Sequence, residues 1–134
     1  MRAPSRSAGV KSEARRRRGA SARRAGRQWE WLCAFWLMAK GYRLLGFRLK
    51  TPFAEVDILA RKGAVVAVIE VKRRASLAEA LAAVTPTQRD RLRRAALHLL
   101  RGRQVGAGEA IRLDLIALAP GRWPRHLRGA WGED

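Results

Sequence analysis

Three side chains near the middle of this sequence have the types and the spacing to do chemistry: Asp57, Glu70 and Lys72. They lie in two strand-like runs, Ala54-Glu55-Val56-Asp57-Ile58-Leu59 and Val65-Val66-Ala67-Val68-Ile69-Glu70-Val71-Lys72. Alternation along a strand puts residues i and i+2 on one face, so Glu55 shares a face with Asp57, and Glu70 with Lys72. The other face of the second run, Val65, Ala67, Ile69 and Val71, is wholly apolar. Charges ending so apolar a strand need compensation, because burying an unpaired charge is costly. Two accounts stay open on spacing alone. The lysine could simply pair with a carboxylate across the hairpin. Alternatively, the two carboxylates converge on a hard divalent cation, which polarises a phosphodiester and acidifies an attacking water. Lys72 then orients that water or neutralises charge developing in the transition state.

Glu30 is a third carboxylate to account for. From Gln28 to Ala39 it is the only charged residue, and at helical spacing its neighbours are Cys33, Ala34 and Leu37. It is either a helix-start charge favoured by the dipole or an inward ligand that Asp57 and Glu70 could meet.

These residues have to be positioned by the elements around them. Gln28 to Lys40 reads as a helix, apolar nearly all round and stopped by Gly41. A short strand follows around Tyr42 to Lys50, with a turn at Thr51-Pro52. Ala54 to Ala60 alternates as a strand, and Arg61-Lys62-Gly63 makes a tight turn into the Val/Ile-rich strand Ala64 to Lys72. Leu77 to Leu100 is helical and broken near Pro86. Gly102 to Gly108 reads as loop and Ile111 to Ala119 as a further strand ended by Pro120. The remainder has no clear period. Helix, three strands, helix, strand is the order of an α/β (α+β) layer protein with a mixed β-sheet flanked by helices.

At this point the motifs resemble a known family. Gly41-Tyr42 after a Glu-bearing helix, Ala54-Glu55-Val56-Asp57-Ile58-Leu59-Ala60, and Val68-Ile69-Glu70-Val71-Lys72-Arg73-Arg74 are similar to the YraN family. A basic helix and Arg112-Leu113-Asp114-Leu115-Ile116-Ala117 complete the likeness, which covers roughly residues 26 to 119. The resemblance implies a restriction-endonuclease-like core with a PD-(D/E)xK-type site. It implies Asp57 and Glu70 as ligands of Mg²⁺ (or Mn²⁺), Lys72 as the catalytic lysine, and Glu30 as an auxiliary acid and metal ligand. Gln88 falls at a position often polar in related nucleases. The chain carries Trp29 and Ala54 where the family usually has Gly, and Thr87 near a common Lys, which leaves every implied ligand in place.

Charge points to the partner. Lys and Arg number 29 against 11 Asp and Glu, a net charge of +18 over 134 residues. Such an excess repels itself unless a polyanion relieves it, and nucleic acid is the commonest one. Up to Arg27 the sequence holds ten basic residues and Glu13 alone, and residues 28–134 carry +9 in their own right. Residues 1–26, poor in large apolar side chains, read as a disordered basic arm, and 27–134 as one domain. An organellar transit peptide is the competing reading of that arm.

The helix before Arg101 bears Arg89, Arg91, Arg93 and Arg94, a face suited to phosphates. Arg73, Arg74, Gln88, Arg89 and Arg91 are the expected nucleic-acid contacts. His98 reads as structural, and Asp114 as the ion-pair partner of Arg112. Trp123 and Trp131 either stack on bases or cover a sheet edge. Cys33 stands alone, which fits a reducing compartment. No run is long enough to cross a bilayer, and no secretory signal is present, so a cytoplasmic, nucleoid-associated setting is expected. Oligomeric state is not encoded legibly, although related nucleases often act as homodimers on two-fold symmetric DNA.

The expectation is thus a metal-dependent endonuclease-like protein acting on DNA, structured or branched. The alternatives are a non-catalytic nucleic-acid-binding protein that retains the fold, and a ribosome- or RNA-associated accessory protein.

Overall fold

A computed structural model describes residues 28–101 and 110–132. The basic arm over 1–26 and the loop over Gly102 to Gly108 lie outside these residues. The chain divides into two units, Met1–Leu32 and Cys33–Asp134. Of the first, residues 28–32 are described, and they are helical.

Helix α1 covers residues 28–39 and stops at Gly41, whose φ of +94° suits a residue without a Cβ. The all-round apolar character expected of it resolves into two faces: Cys33, Ala34 and Leu37 are buried, while Phe35 and Met38 are exposed.

Five strands make one sheet in the order β1-β2-β3-β4-β5. These are β1 Arg43–Lys50, β2 Glu55–Lys62, β3 Val65–Arg73, β4 Ala110–Leu118 and β5 Arg125–Leu127. Antiparallel pairing joins β1 to β2, β2 to β3 and β4 to β5, whereas β3 and β4 run parallel. The sheet is therefore mixed and the fold α+β, as the element order implied. A parallel step needs a crossover connection, and helices α2 (Leu77–Ala82) and α3 (Pro86–Leu100) supply it. The helical stretch breaks where the residue before Pro86 leaves the helical region: Thr85 has ψ 160° and caps α3 instead.

Residue alternation sorts the two faces. Val66 and Val68 of β3 and Leu113 of β4 point to the side where Leu92, Ala95, Ala96 and Leu100 of α3 complete a core. Ala67 and Ile69 point the other way, in register with Arg112 and Asp114. Strand β5, not anticipated from periodicity, is three residues long and pairs Leu127, His126 and Arg125 with Leu115, Ile116 and Ala117.

Candidate active site

Register brings the two carboxylates together. The β2–β3 ladder runs from Lys62↔Val65 to Ile58↔Ile69, and Asp57 and Glu70 are the residues just beyond its last pair, close enough for the Asp57 charge to act on Glu70. There the ladder ends. Strand β2 continues beside β1 through Val56↔Leu49, while β3 continues beside β4 through Glu70↔Leu115. The sheet forks at this pair. Asp57 Oδ2 accepts a hydrogen bond from Val71 N at 2.9 Å, so a side chain satisfies the backbone donor that the departing strand leaves.

Lys72 Nζ lies 3.5 Å from Glu70 Oε1, with the two side chains 23 % and 14 % exposed. Of the two carboxylates weighed as salt-bridge partners of Lys72, Glu70 makes the contact, and it does so along β3. The other oxygen of Glu70, Oε2, is buried with no hydrogen-bond partner among the described residues. Burial, reinforced by the Asp57 charge and opposed by Lys72, pushes the Glu70 carboxyl up to about 8. At neutral pH the pair therefore retains a proton.

Two carboxylates that hold a proton between them are suited to exchange it for a divalent cation. Among the described residues no three or more His, Cys, Asp or Glu side chains gather as a ready-made cage. Mg²⁺ asks for less, one or two carboxylates with water and substrate phosphate filling the shell. The residues present fit such an ion. Glu30, half-buried in α1, belongs to the first unit of the chain.

A cleft of about 230 Å³ opens beside the fork, with Glu70, Lys72 and Glu55 on the sheet side and Gln88, Arg91 and Leu92 on α3. Phe53 and Ala54, from the turn before β2, also line it. The structure therefore places Gln88 and Arg91 on the same cleft as Glu70 and Lys72. Gln88 also caps its own helix, since its Oε1 accepts from Thr85 N at 2.9 Å while Thr85 Oγ1 accepts from Gln88 N at 3.2 Å. That capping box occupies the amide oxygen. Arg89 faces elsewhere, its guanidinium 5.7 Å from the Trp131 ring. Arg73 and Arg74 are exposed at the end of β3, outside the cleft lining, and Arg74 Nη1 donates to the Arg73 carbonyl at 2.8 Å.

A second polar cluster lies on the opposite face. Asp114 is fully buried, and Arg112 grips it with two hydrogen bonds of 2.7 Å. His126 Nε2 lies 2.8 Å from it, and Gly129 N donates to it at 3.1 Å. Arg112 also donates to the Tyr42 hydroxyl at 2.6 Å, and Lys40 Nζ lies 3.1 Å from His126 Nδ1. Burial alone would push the Asp114 carboxyl up, but these hydrogen bonds outweigh it and hold it below the ordinary carboxylate range. The ion-pair role expected for Asp114 is thus observed, within a network larger than its strand neighbour. His126 was missed because its partner is 12 residues away and no motif links them. Phe53 was missed because an isolated Phe after Pro52 carries no period.

Of the two tryptophans, Trp131 covers the sheet, its Nε1 donating to Leu81 O at 3.1 Å, while Trp123 is 90 % exposed.

Fold and site define the class: a mixed-sheet α+β protein with an acidic pair and a lysine at a sheet fork, beside a cleft edged by basic side chains. The chain belongs to the uncharacterised protein family UPF0102, whose family model matches residues 29–118, and this is the YraN family its motifs resemble. A UPF0102 protein of Caulobacter vibrioides (strain NA1000 / CB15N) is 59% identical over 118 residues, covering 88% of this chain and 94% of that protein. One from Caulobacter sp. (strain K31) is 60% identical over 114 residues, 85% of this chain and 82% of the relative. One from Maricaulis maris is 49% identical over 117 residues, 87% and 91%.

Proposed function

We propose that this protein is a Mg²⁺- or Mn²⁺-dependent endonuclease-like phosphodiesterase acting on DNA, working in the cytoplasm. The observation that carries the reading is the Asp57–Glu70 pair at the strand fork beside Lys72, with Glu70 Oε2 buried and without a hydrogen-bond partner among the described residues. Asp57 and Glu70 would hold the ion. When bound, the ion supplies Lewis acidity at the phosphoryl oxygen and lowers the pKa of a bound water. Lys72, 3.5 Å from Glu70 Oε1, would orient the attacking water or neutralise the negative charge that develops in the transition state. Arg91 and the amide nitrogen of Gln88 hold the adjoining phosphates across the cleft. No helix among the described residues is long and apolar enough to cross a membrane.

The test is a panel of duplex, single-stranded, flap and four-way-junction DNA incubated with purified protein and Mg²⁺ or Mn²⁺. Cleavage is expected to fall about 10²–10³-fold in Asp57→Ala and Lys72→Ala, the loss typical of removing one transition-state contact. Cutting that survives both substitutions would sink the proposal.

A second reading is a nucleic-acid-binding protein without catalysis. The Glu70–Lys72 contact at 3.5 Å favours it, since it gives both side chains a partner with no ion present. It predicts salt-dependent binding and no metal-stimulated cleavage.

A further inference from the structure

Phe53 stands between two hollows. On one side is the cleft that holds Glu70 and Lys72. On the other is a groove of about 180 Å³ lined by Phe53, Arg94, Leu97, His98 and Arg101. The ring is 41 % exposed and meets the His98 ring edge to face, with centroids 6.0 Å apart. Its position is held by the turn beneath it. Thr51 Oγ1 accepts from Phe53 N and Ala54 N, both at 3.1 Å, and donates to Ala54 O at 2.7 Å. A ring fixed by a hydrogen-bonded turn, with part of its face open between two hollows, offers a preset surface on which a flat apolar group can stack.

The arginines around it have a spacing of their own. Arg91, Arg94 and Arg101 are three and seven apart, with His98 between them, so they share one face of α3 and its last turn. Arg91 opens onto the cleft and Arg94 and Arg101 onto the groove. At about 1.5 Å per residue this row is about 15 Å long. That matches about four phosphates at the B-form rise of about 3.4 Å per nucleotide, and fewer on a stretched strand. Arg94 pairs with Asp90 at 3.2 Å, but both side chains are more than 60 % exposed, so the contact yields readily to a phosphate.

We propose that this groove is the path of an unpaired DNA strand, with a base stacked on Phe53 and the backbone running along Arg101, Arg94 and Arg91 toward Glu70 and Lys72. The inference rests on the endonuclease reading above and names its substrate class. In a duplex the base faces are covered by their neighbours and reaching one costs unstacking, whereas a strand that has left the helix offers its base faces to Phe53 directly. The substrate is then a junction of single strand and duplex, such as a flap or fork, rather than an uninterrupted duplex.

The experiment uses the full chain carrying Glu70→Gln, without metal, so that binding is read apart from cutting. Fluorescence anisotropy measures the affinity for labelled single-stranded, flap and blunt duplex DNA of matched length. The unpaired substrates are expected to bind at least tenfold tighter than the duplex. Phe53→Ala should weaken them about tenfold with little effect on the duplex, and Phe53→Trp should restore them. Arg94→Gln with Arg101→Gln should flatten the salt dependence by about one to two phosphate equivalents. Thermal unfolding checks that each variant is folded, and the ring's exposure predicts a small change.

Equal affinity for duplex and single strand overturns the proposal. So does a loss on the unpaired substrates that tracks Trp123→Ala rather than Phe53→Ala, or tighter binding of RNA than of DNA of the same sequence. Binding that behaves as expected while the unsubstituted protein cuts no substrate would remove the endonuclease reading and leave the strand path standing.

Discussion

Glu70 is the residue on which the site's chemistry turns. Its carboxyl, raised to about 8 by burial and by Asp57, binds its proton more tightly folded than unfolded. Such a group contributes stability that is fully present below the ordinary carboxylate range and is lost as pH rises through about 8. Metal-free protein should therefore lose up to about 1.4 kcal/mol per pH unit from this group across that window. Glu70→Gln should flatten the slope, as read from urea unfolding with chelator between pH 5 and pH 9. A related outcome concerns the metal. Mg²⁺ binding at pH 7 should release about one proton, and above pH 9 almost none. Calorimetry in buffers of different ionisation heat measures this directly, and release that ignores pH would mean that the ion binds elsewhere. Lys72, 3.5 Å from Glu70, should change partner when the ion arrives.

At the scale of elements, the fork between β2 and β3 makes the site, and the start of α3 faces it. The capping box ties those two features together, because Gln88 both caps the helix and edges the cleft. Gln88→Glu separates the roles. A glutamate serves the box as well as glutamine does, so stability should hold within about 0.5 kcal/mol. Its negative charge facing the phosphates should nonetheless weaken DNA binding severalfold in anisotropy titrations. Thr85→Ala should do the reverse, costing about 1 kcal/mol of stability by thermal unfolding while leaving the cleft's charge unchanged. On the other face, β5 is too short to be held by its ladder alone, and His126 anchors it to Asp114. Asp114→Asn would leave the part-buried Arg112 without its counter-charge, and a loss of about 3 kcal/mol in urea unfolding is expected. The depressed carboxyl of Asp114 works in the opposite sense to Glu70, its stabilisation being lost as pH falls.

For the molecule as a whole, charge decides what can approach. The chain carries +18, half of it before residue 28. Because residues 28–134 hold +9 by themselves, DNA binding by a chain lacking residues 2–26 should keep a steep dependence on salt, at a reduced slope. Anisotropy titrations from low to high KCl measure both slopes. A truncated chain whose affinity no longer responds to salt would place the nucleic-acid surface in the arm alone. The two sheet faces divide the labour: the face under α3 carries the acidic pair and the cleft, whereas the opposite face spends its charges on the Asp114 network.

Much of this was written in the sequence. Period-two alternation placed Asp57, Glu70 and Lys72 on strands and paired β2 with β3 as a hairpin, because strand geometry is local. Gly41, Pro86 and Gly63 marked the ends of elements for similarly local reasons, and charge needs no fold to be counted. The tertiary structure decided what depends on contacts distant along the chain. It ended the β2–β3 ladder at Ile58↔Ile69 and left Glu70 with one oxygen beside Lys72 and the other buried without a partner among the described residues. It sent Arg89 to Trp131 and Arg91 to the cleft, a division invisible in a run of arginines, because helical phase acquires meaning only when a helix packs. It also gave Phe53 and His126 their places, one exposed beside the site and the other buried against Asp114, through partners that no spacing rule joins. Asp57, Glu70 and Lys72 were legible as a set, but their burial and charge state came from the packing around them.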